Sequence, residues 1–147
     1  MAISQTACTS FKQELAQGVH NFGPTSPDVF KLALYTGLAN LNANTTVYVT
    51  ANEISNVGTG YTSGGNTLTI SQAPIVDTTT GVAYWSFANT TWPASSFTVR
   101  GALIYNSSKG NKAVAVLDFG SDKTSNNSTF NVQFPVVAAN TAILRIK

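Results

Sequence analysis

The chain has 147 residues, a formal net charge of +2, a single cysteine and only 10% charged residues. That length suffices for one domain with its own core, and one cysteine excludes an intrachain disulfide. The eight basic residues are scattered, so no basic stripe is available for a run of nucleic-acid phosphates, and no apolar run approaches a membrane span.

Ser, Thr and Asn together make up about a third of the residues, where charged residues alone supply roughly a quarter of an ordinary domain. Charge is the usual defence of a β-rich surface against edge pairing. A nearly neutral exterior of hydroxyls and amides therefore suits a chain docked against copies of itself or a larger assembly. The first residues carry neither a basic nor an apolar leader region, so folding in a cytoplasm is expected. The Asn-x-Ser/Thr triplets at Asn44, Asn89, Asn106, Asn126 and Asn127 then read as products of composition, not glycan sites.

The first predicted element is an amphipathic helix over about 10–22. Phe11, Leu15, Val19 and Phe22 share one face, Ser10 with Gln13 has the form of a capping box, and Gly23-Pro24 closes the segment. From Asp28 the period changes to two. Val29 to Thr36 is a nearly continuous apolar run and reads as a buried strand, followed by a short alternating strand at Thr45 to Thr50. Thr50 to Glu53 has the form of a second capping box, and the glycine-rich stretch Asn56 to Asn66 is a loop.

Further strands are predicted at Thr67 to Gln72, Val82 to Ala88, Phe97 to Tyr105, Ala113 to Phe119, Thr129 to Val136 and Thr141 to Lys147. Between them lie turn signals at Asp77 to Gly81, Trp92-Pro93, Ser107 to Gly110 and Ser121 to Ser128. Seven or eight short strands at this spacing predict a single all-β domain: a β-sandwich over about 28–147, jelly-roll or immunoglobulin-like, with one N-terminal helix.

The chemistry-bearing residues are few. His20 is the only histidine, which excludes His clusters, and near a helix end it reads as a surface group. The acids Glu14, Asp28, Glu53, Asp77, Asp118 and Asp122 fall where acids ordinarily sit, and no pair declares itself as a glycosidase couple. Asp118, Asp122, Asn126 and Asn127 could offer oxygens to calcium, but without the spacing of an EF-hand, and such residues populate turns anyway. The glycines of the 56–66 loop are followed by an alternating β segment, not by the helix a phosphate cradle needs. Cys8 reads as a small buried residue. No catalytic residue, metal or cofactor is expected. Trp92, beside Pro93 in a polar stretch, is the aromatic best placed for exposure, and Tyr61, Trp92 and Arg100 are the predicted interface contributors, with Tyr61 and Trp92 the alternative sugar-stacking pair.

Several segments taken together resemble a family of small virion proteins of tailed bacteriophages and prophages. They are Phe11 to Phe22, Asp28 to Tyr35, Gly60 to Gly65, Val99 to Asn106, Val116 to Gly120 and Ile143 to Ile146, in that order along nearly the whole chain. The resemblance implies a structural component of the particle, and within that class a capsid decoration (cement) protein binding major capsid subunits. It implies a homo-oligomer such as a trimer and no catalytic residues. A tail-tip, fibre or baseplate module contacting the host surface is the alternative it leaves open.

Overall fold

The computed structural model describes residues 2–147. It is mostly β, with two antiparallel sheets and one helix. In chain order the elements are β1 (Thr6–Ala7), α1 (Thr9–Ala16), β2 (Phe30–Tyr35), β3 (Asn66–Thr67), β4 (Ile70–Asp77), β5 (Val82–Phe87), β6 (Thr90–Asn106), β7 (Lys112–Val132) and β8 (Leu144–Ile146). The larger sheet has the order β1-β7-β6-β2-β3 and the smaller β4-β5-β8. Among the described residues, no helix is long and apolar enough to cross a membrane.

The larger sheet is dominated by one hairpin. β6 and β7 run for 17 and 21 residues and are joined by a single 3-10 turn, Ser107–Lys109. Two predicted turns, Trp92-Pro93 and Ser121 to Ser128, lie inside these strands. Their turn-like composition marks bulges instead. The pairing register shifts between Trp92 and Ser95, between Ser95 and Phe97, and between Val99 and Gly101. Pro93, which has no N–H for the ladder, sits within the first shift. Ala94 and Asn127 take positive φ angles of 49° and 45° there. Buried hydroxyls fill the gap: Ser95 Oγ lies 2.9 Å from Ser125 Oγ and 2.8 Å from the Ser128 carbonyl.

β2 forms where it was predicted. Leu32, Ala33, Leu34 and Tyr35 are all fully buried, so both faces of the strand are covered. Phe30 faces the smaller sheet, with its ring stacked 4.2 Å from Phe22 and 5.8 Å from Phe87. Tyr35 faces the long connection between β2 and β3 and donates to the Val49 carbonyl at 2.6 Å. Phe22 also meets Trp85 at 5.2 Å, tying the N-terminal segment to the smaller sheet.

Four local expectations are corrected. The helix stops at Ala16, not Phe22, because Gly18 turns left-handed (φ 71°) and the chain leaves in extended form. Phe11 and Phe22 still meet, edge to face at 6.0 Å. The Ser10–Gln13 capping box does not form, since the N-cap is Cys8 and the Ser10 hydroxyl is buried without a partner among the described residues. Thr45 to Thr50 makes a single bridge, Val47 to Lys112, instead of a strand. Thr50 to Glu53 is a turn closed by Glu53 N–H on the Thr50 carbonyl, with Asn52 at φ 62°, not a helical turn.

Candidate functional site

Of the three residues predicted at an interface, the fold buries two. Tyr61 and Trp92 are each 3% exposed. Their rings stack 6.2 Å apart, and Trp92 meets Phe130 at 6.1 Å while Tyr61 meets Phe97 edge-on at 6.2 Å. Trp92 is thus a core residue and not an exposed one, because the polar stretch around it is a bulged strand whose inward positions it shares with Ser95 and Phe97. This burial removes the sugar-stacking platform. Arg100 is the exception: its side chain is 37% exposed and its Nε donates to Asp118 Oδ1 at 3.2 Å. The same carboxylate accepts the Gly120 N–H at 2.8 Å. These two bonds, the Gly120 one foremost, hold Asp118 below the usual carboxylate range.

Tyr61 instead belongs to a polar hub around Glu53. Glu53 Oε1 accepts from the Tyr61 hydroxyl at 2.6 Å and from Gly64 N–H at 2.7 Å, while Oε2 accepts from Tyr48 at 2.8 Å. The Tyr61 oxygen in turn accepts the Leu34 N–H at 3.0 Å. Tyr105 donates to the Gly64 carbonyl at 2.7 Å and stacks on Tyr48 at 4.6 Å. Beyond the short pairing with β3, the edge of β2 is therefore completed by Glu53, Ile54 and a phenol. Burial, reinforced by the Glu53 charge, pushes the Tyr105 hydroxyl up to about 12 and raises Tyr35, Tyr48 and Tyr61 as well. A carboxylate that receives three donors at the base of a loop organises that loop.

A second hub holds the N-terminal segment. Asn106 accepts the Ser108 N–H through Oδ1 at 3.0 Å, so its amide nitrogen faces His20 Nδ1 at 2.9 Å and Asp28 Oδ2 at 2.8 Å. Nδ1 of His20 is accordingly an acceptor, and the ring proton sits on Nε2, directed at Glu14 Oε2 2.7 Å away. The expectation of a surface histidine is corrected: the His20 side chain is fully buried among Phe11, Phe22 and Phe30. Lys112 and Lys109 approach Glu14 and Asp28 at 3.7 and 3.8 Å on the outer side.

The remaining chemistry-bearing residues are dispersed. Asp118, Asp122, Asn126 and Asn127 are spread along β7 and do not form a calcium loop. Among the described residues, no three of the His, Cys, Asp and Glu side chains gather as metal ligands. Cys8 is completely buried, and burial, with Glu14 nearby, pushes its thiol up to about 11. That is the opposite of the shift a reactive thiolate needs.

What the fold does leave open is apolar surface on the smaller sheet. Val76, Ala83 and Ile146 are opposed across β4, β5 and β8 and so share one face; Val76 is 64% and Ile146 50% exposed. Beside Ile146 a cleft of about 410 Å³ runs between α1 and β8, floored by Phe11, Leu15, Trp85 and Leu144. Lys12, Arg145 and Lys147 stand at its margin. The strand at Thr141 to Lys147 was legible from its apolar residues, but the cleft beside it was not, because Leu15 and Leu144 meet only through the tertiary fold. Comparison with protein-family models, curated proteins and solved structures finds no match to this chain.

Proposed function

We propose that the chain is a structural component of a tailed-bacteriophage particle, acting as a decoration protein that binds capsid subunits and stabilises the head. We read its two sheets as the layers of a β-sandwich, jelly-roll or immunoglobulin-like. Contacts such as Phe30 with Phe87, between β2 and β5, support two facing layers. The ordered series of segments from Phe11 to Ile146 supports the assignment to a virion protein.

The observation that carries an assembly role is the apolar row Val76–Ala83–Ile146, exposed at both ends and half-buried at Ala83, which crosses all three strands of the smaller sheet. Isolated exposed aliphatics are ordinary, but a row spanning a whole sheet is a surface suited to being covered. The carboxylates fit the same reading. Glu14, Asp28, Glu53 and Asp118 are each engaged in structural hydrogen bonds, and Asp77 caps its own turn through Thr79 and Thr80. Low charge also lowers the desolvation cost of an extensive contact.

Electron microscopy and quantitative mass spectrometry of purified particles test this. The expected result is many copies of the chain on the outer face of the head, and heads that burst at lower temperature when the gene is deleted. A handful of copies confined to the tail, or no copies at all, overturns the decoration role.

A further inference from the structure

We infer that the cleft between α1 and β8 is a strand-addition site for an extended acidic segment of a second protein. This deepens the assembly reading by naming the partner's chemistry. Three independent features converge on it. β8 lies at the end of the order β4-β5-β8, so its second edge has no ladder partner among the described residues. β1 lies at the end of the larger sheet, and its Ala7 lines the same cleft. An entering strand thus meets an open backbone edge on a floor made by Phe11, Leu15 and Leu144. Trp85, in that floor, keeps an indole N–H with no partner among the described residues. That nitrogen is closed to solvent, as is the unpaired Trp92 indole, so it reports on the floor from beneath and makes no contact with an incoming chain.

Charge selects the occupant. Lys12, Arg145 and Lys147 line the cleft and none of them is ion-paired among the described residues. Among the described residues, no acidic side chain lines it. A second copy paired antiparallel through β8 and centred on Ile146 would set Arg145 against the other copy's Lys147, and like charges directly opposed repel. Nor can another face of this chain serve. Five of its six acids are already bound in the contacts described above, leaving Asp122 alone. The complementary partner is a foreign extended segment that alternates apolar residues with Asp or Glu.

A fluorescein-labelled peptide of alternating Val and Glu is the probe, with the same peptide carrying Lys in place of Glu as its control. The expected result is saturable binding of the Glu peptide with amide NMR shifts centred on Leu144–Ile146 and on the Trp85 indole. Raising the salt, or combining Lys12→Glu, Arg145→Glu and Lys147→Glu, should weaken that binding roughly tenfold or more. The charge-reversed protein should prefer the Lys peptide. Because all three side chains are on the rim, a melting curve and the milder triple change to Gln verify that the fold persists. Absence of saturable binding, equal affinity for both peptides, or shifts centred on another face overturns the inference. So does sedimentation that shows a self-associated chain made monomeric by Ile146→Asp, which would assign the cleft to a second copy. The peptide assay uses no particle, so its failure leaves the virion reading standing, and absence of the chain from particles leaves the cleft standing.

Discussion

The Tyr61 hydroxyl lies 2.6 Å from Glu53 Oε1, a bond that closes the connection between β2 and β3 on itself where that connection meets the edge of the larger sheet. The phenol oxygen simultaneously accepts the Leu34 N–H, so one side chain satisfies a strand that would otherwise end in an unpaired donor.

Replacing Glu53 separates the parts of that arrangement. Glu53→Gln keeps an oxygen for Gly64 N–H and Tyr61, and the Tyr48 hydroxyl can rotate to accept from the new amide. We expect a loss of about 1 kcal/mol. Glu53→Leu strands three donors and should cost about 3 kcal/mol or more. Tyr61→Phe should cost about 1–2 kcal/mol, and its combination with Glu53→Leu should cost less than the sum, because both remove the same contact. Urea unfolding of the four proteins measures these differences.

Alkali should unfold the protein through its tyrosines. Tyr35, Tyr48, Tyr61 and Tyr105 are all raised above their ordinary value of 10, chiefly by burial. Above pH 10 the unfolded chain gives up these protons while the folded chain keeps them. The unfolded state then binds fewer protons, and stability falls as pH rises. Below pH 10 the contribution is fully present. Tyrosinate absorbance and near-ultraviolet circular dichroism, followed from neutral pH upward, should therefore change together in one steep transition. Smooth, independent ionisation of the four phenols with the fold intact would contradict this.

Two glycines with similar backbone angles should respond very differently to alanine. Gly65 has φ 77°, and a Cβ there would lie 1.7 Å from the Leu32 carbonyl oxygen. Gly81 has φ 71° but open space around it. Gly81→Ala should cost about 1 kcal/mol, the price of the left-handed backbone alone. Gly65→Ala must also push β3 away from β2, and we expect a loss on the order of 4 kcal/mol or failure to fold. Thermal melts of both variants compare the two terms.

Local pattern made the strands legible where partners are uniform. β2 and β5 follow from their apolar runs, and β8 from its aliphatic residues. Legibility failed where a distant partner decides the outcome. Trp92-Pro93 and Ser121 to Ser128 have the composition of turns, yet the first lies opposite Phe130 and the second opposite Ser95 to Val99 in a bulged ladder that no short window reveals. His20 resembles a surface residue because its partner Asn106 is 86 positions away. Tyr61 and Trp92 stood out as large aromatics in polar surroundings, yet both rings turn inward and pack on each other and on Phe97 and Phe130 while their immediate polar neighbours stay outside. Glu53 carried no signal beyond its place in a capping-box pattern, and its donors come from loop positions that the pattern does not reach.

The separation in sequence between β2 and β6 has a consequence for synthesis. Phe30 pairs with Asn106 and Tyr35 with Gly101, so on the ribosome the most apolar strand waits for a partner made roughly 70 residues later, which is several seconds at ordinary elongation rates. During that interval its sides and hydrogen-bonding edges lie bare, whereas β6 and β7, adjacent in the chain, can zip as soon as both emerge. Premature termination before Thr90 should yield fragments that clump or require chaperones, and slowing translation across β6 should lower the soluble yield.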